Sequence, residues 1–139
     1  MHMNRTAWQI AVVGAGPVGL ALALHAARLL PQAQLTLFDA RPLERDVAGD
    51  PRTLALSLGS VRFLERLGAW PAGAAMPITE VHVSQQPPSF ADAEVRLRAT
   101  ELGVPQLGAV LSYGALLAPL QAEWLKRSEE HTSELSHQI

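Results

Sequence analysis

The apolar positions fall into runs whose periods change along the chain. Trp8–Val13 is apolar but for Gln9 and does not alternate, the pattern of a buried parallel strand. An Ala/Leu-rich stretch comes next, with Pro17 in its first turn, where a missing N–H costs nothing, and Pro31 as its stop. It predicts a helix to about Leu30. Gln34–Phe38 reads as a second strand, closing a β-α-β unit of expected right-handed sense. After the charged loop Arg41–Pro51 comes the compact apolar segment Arg52–Ser57. Val61, Leu64 and Leu67 then keep helical spacing, with Gly68 placed as C-cap. Ile78–Ser84 and Glu94–Arg98 alternate apolar with polar and predict an antiparallel pair, with Gln86-Pro-Pro between them. Leu107–Ser112 fits another strand. Leu116, Leu117 and Leu120 open a last helix whose start Pro119 obscures. No internal repeat is present.

The first turn carries the candidate chemistry. Gly14, Gly16 and Gly19 lie between the first strand and the first helix, and Asp39 ends the second strand twenty residues after Gly19. Each residue type has a task in holding a dinucleotide pyrophosphate. Gly14 permits the tight turn, Gly16 removes a side chain that would block the phosphates, and Gly19 allows close packing of helix on sheet. The helix N-terminus then offers free N–H groups and its positive dipole end to the anion. Asp39 can accept hydrogen bonds from ribose hydroxyls. Ala15 and Pro17, within the turn, and Arg41, just past Asp39, complete this candidate cofactor-binding set. The motif does not separate NAD from FAD, since both offer an ADP-ribose.

Composition narrows the classes. The chain has 139 residues, at most one ordinary domain or part of a larger one, and its 48% hydrophobic content is enough for a core. A net charge of −2 gives no footprint for nucleic acid. The absence of cysteine rules out disulfides and thiolate metal sites, and no metal-ligand set is expected. Ile10–Leu30 mimics a signal or membrane segment, but Gly14, Gly16 and Pro17 break it and His25 and Arg28 interrupt it. A cytoplasmic chain is expected. The final thirteen residues, Arg127–Ile139, lack the Ala/Leu/Pro/Arg flavour of the rest, and without them ten bases balance ten acids. Reverse-translated, Arg127–Leu135 resembles a common sequencing-library adapter. Residues 1–126 are therefore expected to be natural and 127–139 to be foreign read-through, the alternative being a polar tail of the protein itself, with His131 and His137 in no site.

The segment after Asp39 separates the cofactors. A simple NAD dehydrogenase continues into another β-α unit, whereas Arg41–Leu67 is spent on a loop, an arginine and a short helix before antiparallel strands. That order is a flavoprotein's. Asp50-Pro-Arg-Thr-Leu-Ala-Leu-Ser-Leu-Gly-Ser60, Leu64–Trp70, Pro77–Ser84 and Leu107–Tyr113, taken in order, closely resemble the amino-terminal third of the ubiquinone-biosynthesis hydroxylases. The resemblance runs from Trp8 to about Trp124. It implies an α/β fold, an incomplete Rossmann-like FAD-binding domain with a β-α-β start and an antiparallel excursion. It also implies an FAD-dependent aromatic-ring monooxygenase that uses NAD(P)H as co-substrate and O₂ to hydroxylate a polyprenylated phenol.

In such a protein Gly14, Gly16 and Gly19 hold the pyrophosphate and Asp39 the adenosine ribose. Arg52 approaches the phosphate or ribityl part of FAD as an always-charged fork, or is a solvated loop charge. Ser57 is a weaker candidate, equally placed to cap the Val61 helix. The partner is a small aromatic molecule, prenylated or not, and a lipid tail leaves room for peripheral membrane contact and for assembly with other quinone-biosynthesis enzymes. His82 is expected in a structural or exposed role, His25 as a surface or packing residue, and Trp8, Trp70 and Trp124 as core and interface. Glu65 and Arg66 belong to a solvated helix face. Gly114 departs from relatives that carry a polar or basic residue near the flavin. The later Asp-Gly and Gly-Asp segments of the family are absent, so no catalytic residue is assigned and a fragment is expected. The alternatives are a small-aromatic hydroxylase, an isoprenoid reductase, or a dinucleotide-binding module without catalysis.

Overall fold

A computed structural model describes residues 8–85, 94–130 and 135–138. The fold is mixed α/β. Strand β1 (Gln9–Val13), helix α1 (Pro17–Leu29) and strand β2 (Gln34–Phe38) form a β-α-β unit with β1 and β2 parallel, Gln9 opposite Gln34 and Val13 opposite Phe38. Strand β3 (Thr53–Ser57) leads into helix α2 (Leu58–Arg66). Strands β4 (Met76–Ile78), β5 (Glu80–Ser84), β6 (Glu94–Arg98) and β7 (Gly108–Ser112) come next, then helix α3 (Tyr113–Glu130) and strand β8 (Leu135–Gln138). One sheet has the order β1-β2-β8, a second β3-β7-β4, and β5 pairs with β6 alone.

The caps explain where the helices sit. Gly16 is the N-cap of α1 with Pro17 at its first position. Ser57 accepts from the Ser60 N–H at 3.3 Å and so starts α2. That helix ends in a Schellman turn: Gly68 (φ +70°) donates to the Glu65 carbonyl and Ala69 to that of Leu64. Ser112 caps α3 by accepting from Ala115 N–H at 3.1 Å, a signal outweighed in the sequence by Pro119, which lies inside the helix.

The core gathers Leu20 and Leu24 of α1, Leu35 and Leu37 of β2, and Leu120 and Trp124 of α3. Leu43 and Val47 of the charged loop join it, which ties that loop to α3. Two expectations are corrected. Trp8 is no core residue, being 74% exposed. The apolar run of β1 does not bury the strand: it lies at a sheet edge, only Val12 is buried, and Val13 points outward at 84% exposure. The ribbon β5–β6 has the expected antiparallel pairing from Glu80 onward, Val81 opposite Leu97 and Glu80 opposite Arg98, whereas Ile78, expected in the same strand, belongs to β4 and pairs with Gly108 of β7. The ribbon's predicted link, Gln86-Pro-Pro, lies outside the described residues. Helix α3 runs through Lys126, and β8 lies parallel to β2, Leu135 opposite Leu35.

Candidate functional site

The site is built where β1 and β2 end. Gly14 turns the chain at φ +104°, a conformation that side-chain-bearing residues rarely adopt. Its N–H donates to the Phe38 carbonyl at 2.7 Å, which fastens the turn to the end of β2. At Gly16 a Cβ would meet only the Tyr113 hydroxyl, at 3.6 Å, so the space over the turn is open. Gly19 has a harsher neighbour. A Cβ there would stand 1.8 Å from the Gly14 carbonyl oxygen, with Val12 Cγ1 at 3.6 Å. The chief demand on Gly19 is therefore the backbone of the turn beneath it, more than the sheet. Beside the turn, an open groove of about 680 Å³ runs between β1 and the start of α1, lined by Val12, Gly14, Gly16 and Pro17 among others.

Asp39 comes directly after β2 and faces this turn. Its Oδ2 accepts from the Ala15 N–H at 2.8 Å, and its Oδ1 from the Arg41 N–H at 2.9 Å and Arg41 Nε at 3.3 Å. These contacts hold the carboxyl below its ordinary range, the Ala15 N–H first, then the Arg41 N–H, against a smaller opposing effect of burial. Asp39 thus stays ionised across neutral pH, with further acceptor positions on both oxygens. Such a group repels phosphate and attracts hydroxyls. Leu43, Leu117 and Gln121 wall the hollow next to Asp39 and Arg41. Gln121 is buried and donates to the Arg45 carbonyl at 3.2 Å, pinning the loop to α3. The sequence reading missed it, although an amide among the core leucines of a helix is a visible signal.

Arg52 has an acid partner of its own. It pairs with Asp50 through Nε–Oδ1 at 3.0 Å and Nη2–Oδ2 at 2.8 Å, and its guanidinium sits over the Tyr113 ring, 4.4 Å from the centroid. The Asp50 hydrogen bond, then its charge, with smaller contributions from Tyr113, raise the arginine further above its already high value. Asp50 is lowered in return, chiefly by the Arg52 side chain. The structure therefore joins Arg52 to the glycine turn through Tyr113, a residue the sequence reading did not single out.

Other residues fall into place. Ser57 serves as the α2 cap. Gly114 has a packing reason: a Cβ would lie 2.4 Å from the Ala48 carbonyl oxygen and 2.5 Å from that of Val47. A side chain there is excluded unless the loop moves. His82 is exposed, with Nε2 3.4 Å from Glu94, and His25 makes an edge contact with Phe63 at 5.2 Å. Among the described residues no group of His, Asp and Glu could hold a metal, and no helix is long and apolar enough to cross a membrane.

No family model matches this chain, and comparison with curated protein sequences gives no match. Solved structures do share the fold. The tetrameric form of 2-methyl-3-hydroxypyridine-5-carboxylic acid oxygenase superposes with a TM-score of 0.60 at 14% identity, over 95% of this chain and 32% of the oxygenase. A mutant of the same oxygenase gives 0.55 at 19% identity over the same shares. FqzB gives 0.53 at 16% identity, over 95% of this chain and 29% of its own. This chain thus spans about a third of the length of these neighbours. At such identities the likeness is one of fold.

Proposed function

We propose that residues 1–126 are the amino-terminal part of a Rossmann-like FAD-binding domain in a flavin-dependent monooxygenase. The observation that carries the reading is the Ala15–Asp39 hydrogen bond, which sets an ionised acceptor beside an open glycine turn at a helix N-terminus. These residues fit the cofactor. Gly14, Ala15, Gly16, Pro17 and Gly19 seat its pyrophosphate, and Asp39 accepts from the ribose hydroxyls with Arg41 holding the carboxylate in place. Arg52 serves the phosphate side. When bound, FAD supplies the redox and oxygen chemistry, with NAD(P)H as reductant. The chain's own contribution is to bind, orient and shield the adenosine half. The fold shared with an oxygenase supports the monooxygenase reading.

The substrate proposed is a polyprenylated phenol of ubiquinone biosynthesis, on the sequence resemblance of Asp50–Ser60 and Pro77–Ser84. A lipid-tailed substrate brings with it peripheral membrane contact and assembly with other quinone-biosynthesis enzymes. A small-aromatic hydroxylase is the second reading, favoured by the neighbour that acts on a hydroxypyridine carboxylic acid. The full-length parent tests both. It should purify with FAD, and product analysis with a prenylated phenol and with a hydroxypyridine acid decides between them. A colourless protein that binds NAD alone refutes the flavin reading. Residues 127–139 are proposed to be foreign to the fold. Because Leu135–Gln138 pair with β2, truncation after Lys126 is the test: an unchanged melting temperature supports a foreign tail and a fall refutes it.

A further inference from the structure

Arg52 has two partners of different kinds. Asp50 lies on the same loop and engages Nε and Nη2. Tyr113 opens α3 and presents its ring face to the guanidinium, 4.4 Å away. The β3–β7 ladder fixes this meeting, since Thr53 pairs with Ser112 and the Tyr113 N–H donates to the Arg52 carbonyl. The same phenol reaches the glycine turn, where its oxygen would lie 3.6 Å from a Cβ on Gly16. One side chain therefore stacks with the arginine and places its hydroxyl near the open turn.

We propose that Tyr113 is a positioning residue of the dinucleotide site: its ring carries the Arg52 guanidinium beside the Gly16 turn, within reach of the ligand's pyrophosphate. The assignment rests on the dinucleotide reading above. A ring face attracts the cation while leaving the in-plane N–H donors on the rim of the fork for anionic oxygens. Asp50 fixes the direction of the fork through Nε and Nη2, and Tyr113 sets its height over the turn. Lysine in place of Arg52 would keep a charge over the ring but lose the planar fork that pairs with Asp50 and donates in its own plane.

The test uses the 139-residue chain titrated with ADP, followed by the amide NMR signals of Gly14, Ala15 and Gly16, with adenosine as the ligand lacking a pyrophosphate. Arg52→Ala should weaken ADP by about ten-fold or more, the loss expected for a charge-assisted contact. Tyr113→Leu should weaken it by about two- to five-fold, as for an exposed cation–π pair, and Tyr113→Phe by less than about two-fold. In the Arg52→Ala background, Tyr113→Leu should add nothing. Adenosine affinity should not change in any variant. Unchanged ADP affinity in Tyr113→Leu, or losses that multiply in the double variant, would overturn the assignment. A second readout needs no variant that must fold. Arg52 side-chain protons should be shifted upfield by the ring and stay so when ADP saturates the site; their return to unshifted positions also overturns it. Failure of the unmodified chain to bind ADP, with the ring shift present, refutes the dinucleotide reading and this assignment with it. Normal ADP affinity in both single variants refutes this assignment alone.

Discussion

Two tripeptides, Asp39-Ala40-Arg41 and Asp50-Pro51-Arg52, have nearly the same local wiring. In each, the Asp Oδ1 accepts from the Arg backbone N–H, at 2.9 and 3.1 Å, and from Arg Nε, at 3.3 and 3.0 Å. They differ in the second carboxylate oxygen. Asp39 gives it to the Ala15 N–H, 24 residues away, while Asp50 gives it to its own arginine. The first acid thereby becomes part of the glycine turn and is 14% exposed; the second remains a surface pair, 27% exposed on the acid and 67% on the arginine. A short acid–base spacing fixes a local clasp and leaves its purpose open. The group facing the spare oxygen decides whether the acid anchors a site or orients a neighbouring cation.

The largest effect is expected from moving the turn that Asp39 grips. Gly19→Ala places a Cβ 1.8 Å from the Gly14 carbonyl oxygen, and backbone cannot yield as a flexible side chain does. We expect a loss of about 3 kcal/mol in stability, at the upper end for overpacking, seen in urea unfolding. The Ala15 amide signal should shift while that of Arg52 stays. Equal stability would mean that the turn does not depend on Gly19.

A second test separates the acids by ligand. In the full-length parent, Asp39→Ala should weaken FAD by ten- to a hundred-fold, the loss of a charged hydrogen bond of about 1.5–3 kcal/mol. Gly16→Val should do more, because it fills the open space over the turn. An unchanged FAD dissociation constant in Asp39→Ala would remove that acid from the site.

The acid limb sharpens the contrast without mutation. Asp39 is held below its ordinary value in the folded chain, by the Ala15 N–H above all. The unfolded chain therefore takes up the proton first, and the stability contributed is complete above the unfolded value of about 3.9. It is lost as pH falls through the lower folded value. Following the Ala15 amide against pH should give a midpoint below that of a free aspartate; a midpoint at or above it would contradict the hydrogen bond. The smallest effect is expected at the other pair. Asp50→Asn leaves a neutral partner at the surface, and the melting temperature should not move measurably.

Much of the fold was legible because its signals are local. Gly14, Pro17 and Pro31 bound α1, Ser57 and Gly68 bound α2, and the alternation of Ile78–Ser84 with Glu94–Arg98 matched the ribbon from Glu80 onward, with Ile78 going to β4 instead. Each is a backbone preference or a period, readable within a few residues. The errors came where burial depends on distant partners. The run Trp8–Val13 looked like a buried strand, but whether both faces are covered depends on what else packs there, and β1 is an edge.

The sequence by itself determined the turn, the acid opposite it, and the distance between them, because glycine conformation and strand length depend on residue type. The folded chain had to show that Asp39 accepts from Ala15 and that Arg52 lies on Tyr113 near Gly16. It also had to show that Gly114 is required by the Val47–Ala48 backbone. These contacts join residues that lie 24 to nearly 100 positions apart in the chain. The Asp39–Ala15 contact is set by the parallel pairing of β1 with β2, and the others by where β7 and α3 place Tyr113 and Gly114; no local preference encodes either arrangement.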